Sequence, residues 1–149
     1  MKTTCLHALM AVALALLPLT APTADAAMND AEAAKMAERV KAETRHAWQG
    51  YKRHAWGHDA LKPLSAKPHD WYGESLLMTP VDALDTLILM GLDKEAKEAR
   101  ELIATQLSFD RDLEVQNFEI TIRLLGGLLS GYEMTGDDRL LKLAEDLGK

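Results

Sequence analysis

The sequence is poor in cysteine and in aromatic residues. Its 149 residues include one cysteine, Cys5, and only 5% are Phe, Trp or Tyr. Because a single cysteine has no partner in the same chain, an intrachain disulfide is excluded, and stability has to come from packing. Cys5 precedes the first apolar run instead of following it, which does not match a lipid attachment site.

Long apolar runs and an excess of basic residues are also missing. The apolar run from Ala8 to Leu19 is shorter than the roughly 20 residues that a membrane-spanning helix needs, so the sequence predicts no span after the N-terminal segment is removed. The formal net charge is −6 at pH 7, with 17 basic and 23 acidic residues. This acidity argues against nucleic acid as a partner, because proteins that bind its phosphates carry clustered positive charge.

The first residues have the composition of a secretory signal peptide. Lys2 precedes the apolar run, and small residues close the segment at Ala24-Asp25-Ala26. We therefore predict a signal peptide over residues 1–26 and one domain over residues 27–149. The net charge stays at −6, because the segment contains one base and one acid. The expected localisation is export, either to the periplasm or out of the cell.

Signals for helices dominate the rest of the chain. Helices are predicted over the ranges 30–55, 79–90, 94–107, 116–134 and 138–149. Asn29 and Asp30 are candidate N-caps of the first helix, and Gly136 and Asp137 separate the last two. The stretch 57–73 contains two prolines and is predicted to be an irregular loop. Since no segment alternates apolar and polar residues as a strand does, the predicted fold class is all-α, built from helical hairpins.

The segment "NFEITIRLLGGLLSGY", residues 117–132, carries two distinct faces on one predicted helix. An apolar stripe at helical spacing predicts a core face, formed by Phe118, Ile122, Leu125, Leu129 and Tyr132. The neighbouring face contains Glu119 and Arg123 followed by Gly126, Gly127 and Ser130. Two successive glycines inside a helix are unfavourable, so something is expected to approach the backbone there, either another helix or a ligand.

Two interpretations of Glu119 and Arg123 remain open on the pattern alone. The pair has the i,i+4 spacing of an ordinary surface ion pair, which contributes a few tenths of a kcal/mol. Both residues are nevertheless flanked by apolar side chains, and ionised groups in such surroundings often belong to a functional site.

The segment "TPVDALDTLILMGL", residues 79–92, contains a second pair of charged residues. Thr79 and Asp82 have the spacing of a capping box, with Pro80 at the first helical position. Asp85 lies among leucines where a core would continue, so it needs a partner such as Thr86, Arg123 or a polar ligand.

With these motifs the chain resembles a known family, the class I α-1,2-mannosidases of glycoside hydrolase family 47. The resemblance extends from about Trp48 to Gly148 and rests on four blocks in the family's order: "WQGYKRHAWGHDALKPLS", "VDALDTLILMGL", "FEITIRLLGGLLSGYEMTGD" and "LLKLAEDLG". It implies an (α/α) barrel of paired helices and a calcium-dependent enzyme. Such an enzyme removes terminal α-1,2-linked mannose from mannose-rich oligosaccharides or glycoproteins, with inversion at the anomeric carbon.

The resemblance also implies roles for four residues. Glu119 matches the proposed general acid of the family, and Arg123 matches an arginine of the mannose subsite. Asp82 and Asp85 match an acidic cluster at the active-site end of the barrel, where they would support substrate binding. The pair His58-Asp59 matches the family pattern without an assigned role. His54 and His58 have a spacing that suits a metal, but solvated or capping histidines are the favoured interpretation.

The matching blocks cover only the first helical hairpins of such a barrel. The resemblance places the catalytic base and the calcium ligands, which include a threonine, in later hairpins, so we expect these 149 residues to be an N-terminal fragment that is inactive alone. Two alternatives stay open: a relative that binds mannose glycans without cleaving them, and a plain helical-repeat scaffold in which Glu119 and Arg123 form a surface pair.

Overall fold

The computed structural model describes residues 28–149, so the predicted signal peptide lies outside the described residues. The elements are α1 (Asp30–Ala55), β1 (Ala60–Lys62), β2 (Lys67–His69), α2 (Met78–Leu89), α3 (Asp93–Gln106), α4 (Asn117–Glu119), a π-helical segment (Ile120–Leu125), α5 (Gly126–Thr135) and α6 (Asp138–Leu147). This mainly helical architecture confirms the predicted fold class. Over residues 28–149, none of the helices is both long enough and apolar enough to cross a membrane.

Helix α1 begins with the predicted cap and packs through its C-terminal half. The Asn29 side chain accepts a hydrogen bond from the Glu32 amide, and the Glu32 side chain accepts one from the Asn29 amide, which is a capping box. The buried side chains of α1 are Trp48, Tyr51 and Ala55. An ion pair between Arg45 of α1 and the buried Glu95 of α3 fastens the two helices to each other.

The prediction of an irregular loop after α1 was wrong over two short stretches. Strands β1 and β2 pair antiparallel, with Ala60 opposite His69 and Lys62 opposite Lys67. Each strand has only three residues. Such strands are too short to show the period-two pattern by which strands are recognised in a sequence.

The core lies between α2, α3, α5 and α6. Its largest fully buried side chains include Leu84 and Leu87 of α2, Ile103 of α3, Leu128 of α5 and Leu140 of α6. Helix α5 ends at Gly136, which has a φ of 67°, and Asp137 then caps α6 by accepting a hydrogen bond from the Arg139 amide. Both of these helix boundaries were predicted from the sequence.

The helical run over residues 117–135, here called the site helix, does not bury the face that periodicity predicted. Phe118 is 69% exposed, Ile122 50% and Leu129 41%, while Leu125 and Tyr132 are only partly buried. The buried side chains are instead Ile120, Leu124 and Leu128. The predicted core stripe was therefore wrong, because it assumed a uniform α-helix, whereas residues Ile120–Leu125 form a π-helical segment.

Candidate active site

Arg123 joins two helices by binding a carboxylate on each. Its Nε donates to Glu119 Oε2 at 2.6 Å, and its Nη1 donates to Asp82 Oδ2 at 2.7 Å. Glu119 and Arg123 lie on the site helix, whereas Asp82 lies on α2. The structure thus brings together three of the four residues that the resemblance singled out, and it makes the arginine the centre of the group.

The π-helical segment Ile120–Leu125 lies directly between Glu119 and the glycines of α5. Short π-helical segments inside α-helices are rare and occur frequently at functional sites. Ile120 and Leu124 are buried and anchor this segment in the core. The Glu119 and Arg123 side chains remain 23% and 35% exposed, so both can be reached from the surrounding solvent.

Close contact between α2 and α5 sets the distance from Asp82 to Arg123. A Cβ atom on Gly127 would lie 2.7 Å from Val81 Cγ1, and one on Gly131 would lie 2.8 Å from Leu84 Cδ2. The expected close approach to the glycines is therefore made by helix α2. Gly126 is different, because a Cβ atom there would meet only the Thr121 carbonyl oxygen, at an ordinary 3.7 Å.

Trp71 is the third side chain that contacts Arg123. The centre of the guanidinium lies 5.2 Å from the centroid of the Trp71 ring, within the range of a cation–π interaction. Hydrogen bonds to Glu119 and then to Asp82 raise the pKa of Arg123 above its usual range, so the guanidinium is permanently charged. Trp71 was not predicted from the sequence, because nothing in the local pattern of residues 70–77 connects it with a helix some fifty positions later.

Asp85 binds a partner that was not predicted. Its Oδ2 accepts a hydrogen bond from Ser130 Oγ at 3.1 Å, and its Oδ1 accepts one from Thr86 Oγ1 at 3.3 Å. The side chain is partly buried instead of lying in the core. Of the candidate partners, Thr86 is confirmed, whereas the hydrogen bonds formed by Arg123 within residues 28–149 go to Glu119 and Asp82. Asp85 therefore lies on α2 as a separate polar contact to α5.

The predicted capping box at Thr79 and Asp82 was wrong. Helix α2 begins one residue earlier, at Met78, and its N-cap, Leu77, makes no side-chain capping hydrogen bond. The Thr79 hydroxyl donates to the Asp59 carbonyl oxygen at 2.6 Å, and Asp82 binds Arg123. Local spacing suggested a cap, but Thr79 binds a residue 20 positions upstream and Asp82 binds one on another helix.

Asp59 is the second residue whose importance the sequence did not show. It is fully buried, at 0% exposure, and its carboxylate accepts hydrogen bonds from the backbone amides of Trp71, Leu76 and Met78 and from the Ser75 hydroxyl. The neighbouring His58 pairs through Nδ1 with Asp70 Oδ2 at 2.9 Å, which accounts for this histidine without a metal. The only hint in the sequence was the family pattern that contains His58-Asp59.

The residues of this site do not fit a bound metal ion. Between residues 28 and 149, no three His, Cys, Asp or Glu side chains are grouped closely enough to hold one. Calcium takes six to eight oxygen ligands, and here the Glu119 and Asp82 carboxylates are both already bound to the Arg123 guanidinium. A second cation beside Arg123 would be repelled by it.

The arrangement is chemically suited to a polar, uncharged ligand with several hydroxyl groups. A charged arginine flanked by two carboxylates offers both donors and acceptors, and an exposed tryptophan offers an apolar surface. The site is open, since Glu119, Arg123, Asp82 and Trp71 all retain exposed surface.

Comparison with known proteins shows the family to which this chain belongs. The sequence model of the family described as "Glycosyl hydrolase family 47" matches residues 43–149. This chain belongs to glycosyl hydrolase family 47. A similar relative is the endoplasmic reticulum mannosyl-oligosaccharide 1,2-alpha-mannosidase of Homo sapiens, which is 52% identical over 103 residues that cover 69% of this chain and 14% of the human protein.

Other family 47 proteins show the same partial coverage. The mannosyl-oligosaccharide 1,2-alpha-mannosidase MNS1 of Arabidopsis thaliana is 46% identical over 110 residues, which cover 74% of this chain and 20% of the plant protein. Among solved structures, the alpha-1,2-mannosidase from Trichoderma reesei matches with a TM-score of 0.67 and 30% identity over 77% of this chain and 27% of the fungal one. The fold thus corresponds to part of the family's (α/α) barrel, and the chain spans between a seventh and about a quarter of these relatives.

Proposed function

We propose that this chain is the part of an inverting α-1,2-mannosidase that contains the general acid. The enzyme would act on mannose-rich oligosaccharides or glycoproteins. The observation that carries the proposal is Arg123, which binds Glu119 and Asp82 at 2.6 and 2.7 Å in a chain of family 47. The human and Arabidopsis relatives named above are described as mannosyl-oligosaccharide 1,2-alpha-mannosidases.

In the proposed reaction Glu119 is the general acid. An inverting glycosidase needs one carboxyl group that protonates the leaving oxygen, and a second carboxylate that activates water on the opposite face of the sugar. Within residues 28–149, the Glu119 side chain accepts a hydrogen bond from Arg123 through Oε2 only. The other oxygen, Oε1, is therefore available to transfer a proton to the leaving group, either directly or through one water molecule.

Arg123 and the two aspartates are proposed to bind the sugar. The hydrogen bonds of Arg123 to the described residues use Nε and Nη1, so Nη2 is available to donate to a mannose hydroxyl. Asp82 is held by the same guanidinium and keeps 36% of its side chain exposed. Asp85 would contribute from the next turn of α2, where Ser130 fixes its carboxylate.

The catalytic base and the calcium ligands are proposed to lie outside residues 1–149. The described residues do not fit a metal ion, and both carboxylates next to Arg123 are assigned to the acid and the sugar. A mannosidase of this family would therefore need further helical hairpins, and these 149 residues alone should release no mannose. The order of Lys2, an apolar run and Ala24-Asp25-Ala26 supports the further proposal that the protein is exported to the periplasm or secreted.

The test replaces Glu119 with Gln in the complete protein, meaning a chain that includes these residues together with the further helical hairpins proposed above. We expect kcat/KM on an α-1,2-mannobioside to fall by roughly 10³-fold, since general acid catalysis contributes about 10² to 10⁴. Binding of the disaccharide, measured by calorimetry, should change little. The matched control is Glu133→Gln, an exposed glutamate on α5, which should keep full activity.

The same experiment separates the alternatives. A protein that binds mannose glycans without cleaving them would show disaccharide binding but no mannose release before any substitution. A plain scaffold would show neither. Mannose release by residues 1–149 alone would contradict the assignment of the base to another part of the protein.

A further inference from the structure

We propose that Asp59 is a positioning residue for the candidate active site, because its buried carboxylate fixes the Trp71 backbone beside Arg123 and the start of the helix that carries Asp82. The side chain of Asp59 does not touch Arg123, so any effect on activity is transmitted through Trp71 and α2. The catalytic consequence rests on the proposed function, whereas the structural consequence can be measured without it.

The two carboxylate oxygens of Asp59 have different partners. Oδ2 accepts a hydrogen bond from the Trp71 amide at 3.0 Å. Oδ1 accepts from the Leu76 amide at 2.6 Å and the Met78 amide at 3.2 Å, and from the Ser75 hydroxyl at 3.3 Å. One oxygen thus anchors the beginning of the segment 71–78, and the other anchors its end.

The end of this segment needs such an anchor, because its backbone is strained. Leu77, the residue before α2, has a φ of 54° and a ψ of 39°, the left-handed conformation that residues with a Cβ atom rarely adopt. The Leu76 and Met78 amides on either side of it both donate to Asp59 Oδ1. The Ser75 hydroxyl donates to the same oxygen and accepts from the Leu77 amide.

Each of the two segments that Asp59 holds contributes a side chain that contacts Arg123. The Trp71 ring lies 5.2 Å from the guanidinium, and Asp82, one turn into α2, accepts a hydrogen bond from it at 2.7 Å. Among residues 28–149, the side chains of Trp71, Asp82 and Glu119 contact Arg123, and one buried carboxylate positions the first two. The third contact, Glu119, lies on the site helix with Arg123 itself.

An asparagine side chain at position 59 can keep only one of the two anchors, the one to Trp71 or the one to the start of α2. Asparagine has one carbonyl oxygen, and three donors favour placing it where Oδ1 now lies. The amide nitrogen would then face the Trp71 N–H, and two donors cannot bind each other. Asp59→Asn should therefore release Trp71 while it preserves the start of α2.

The first measurement is amide hydrogen exchange in the complete protein, followed by NMR or mass spectrometry. In Asp59→Asn we expect exchange at Trp71 to become at least tenfold faster, with a smaller change at Leu76 and Met78. Glu95→Gln is the matched control, because Glu95 is also a buried acid but pairs with Arg45, away from the site. It should leave exchange at Trp71 unchanged. Unaltered exchange at Trp71 in Asp59→Asn would overturn the proposal.

A second variant covers the case in which Asp59→Asn does not fold. Ser75→Ala removes one donor to Oδ1 and the acceptor of the Leu77 amide, but leaves Oδ2 bound to Trp71. We expect faster exchange at Leu76 and Leu77 with little change at Trp71. If exchange at Trp71 becomes faster by the same factor as exchange at Leu76 and Leu77, the two carboxylate oxygens do not act separately. The proposed division between Oδ1 and Oδ2 is then wrong.

The activity measurement is a double-mutant cycle that combines Trp71→Ala with Asp59→Asn, the variant expected to release Trp71 while it keeps the anchor at the start of α2. If Asp59 acts through Trp71, each single variant should lower kcat by roughly tenfold, and the double variant should be no slower than Trp71→Ala alone to within about twofold. A merely structural role predicts that the two losses multiply, which would overturn the proposal. If the unaltered protein releases no mannose, the proposed function fails, and hydrogen exchange still decides whether Asp59 positions Trp71.

Discussion

Gly127 of α5 lies against Val81 of α2 so closely that a Cβ atom added to Gly127 would come within 2.7 Å of Val81 Cγ1 and 3.0 Å of the Val81 carbonyl oxygen. Since Val81 and its neighbour Asp82 belong to the same turn of α2, this contact also determines how near Asp82 comes to Arg123. The other glycine of the pair, Gly126, has no neighbour this close among the described residues.

Gly127→Ala should therefore destabilise the protein, and Gly126→Ala should not. Overpacking at a rigid backbone contact costs about 1 to 3 kcal/mol, so we expect the free energy of unfolding to fall by about 2 kcal/mol in Gly127→Ala. Replacing a helical glycine by alanine in open space gains up to about 1 kcal/mol, which is the expectation for Gly126→Ala. Urea unfolding of both variants measures the difference, and equal effects would show that the contact with Val81 is not tight.

The helices and their caps were largely predictable, because they depend on neighbouring residues. Asn29, Gly136 and Asp137 mark helix ends by local chemistry, and the structure has the predicted caps at these positions. The buried face of the site helix was not predictable in the same way. Its packing depends on the π-helical segment and on Val81 and Leu84 of α2, which fill the space at Gly127 and Gly131.

The candidate site was predictable only as residue types. The i,i+4 spacing and the family resemblance identified Glu119 and Arg123, but neither pattern shows that Asp82 and Trp71 contact the same guanidinium. Asp59 was missed for a related reason. The hydrogen bonds of its carboxylate reach 12 to 19 residues along the chain, where no periodicity connects the partners.

Arg123→Lys distinguishes a bridging arginine from an ordinary surface charge. A lysine ammonium cannot bind two carboxylates in the fixed fork of a guanidinium and cannot stack on Trp71 in the same way. We expect kcat/KM of the complete protein to fall by roughly 10 to 100-fold. The free energy of unfolding should change by less than about 1 kcal/mol, because the side chains are partly exposed.

The control for this change is Arg111→Lys, at an arginine that pairs with the exposed Glu74. It should alter neither activity nor stability appreciably. If Arg123→Lys retains activity within about twofold of the unaltered protein, the Glu119 and Arg123 pair is an ordinary surface ion pair and Arg123 does not bind the sugar.

Asp85 and Ser130 should be energetically coupled across α2 and α5. The hydroxyl donates to a partly buried carboxylate at 3.1 Å, and hydrogen bonds of this kind contribute about 1 kcal/mol. A double-mutant cycle with Asp85→Ala and Ser130→Ala, measured by urea unfolding, should give a coupling energy of about 1 kcal/mol. The contribution of alanine's higher helix propensity cancels in the cycle, whereas it would obscure the stability change of each single variant. A coupling energy near zero would mean that the two side chains do not hold each other.

The cap of α6 should make stability depend on pH in an acidic range. Hydrogen bonds from Arg139 lower the pKa of Asp137 from 3.8 to about 2. A carboxyl whose pKa is lowered by folding stabilises the folded state above its unfolded pKa, and this stabilisation disappears as pH falls through the folded pKa. The free energy of unfolding should therefore decrease between about pH 4 and pH 2.

Asp137→Asn should remove most of that pH dependence, because an asparagine caps the helix without titrating. We expect the difference between the two proteins to be about 1 kcal/mol at pH 6 and to vanish near pH 2, with a smaller difference at high salt. Asp138→Asn, at the exposed neighbouring residue, is the matched control and should leave the slope between pH 4 and 2 nearly unchanged. The measurement is urea unfolding at several pH values. An identical slope in Asp137→Asn and the unaltered protein would show that Arg139 stabilises this carboxylate no better in the folded chain than water does in the unfolded one.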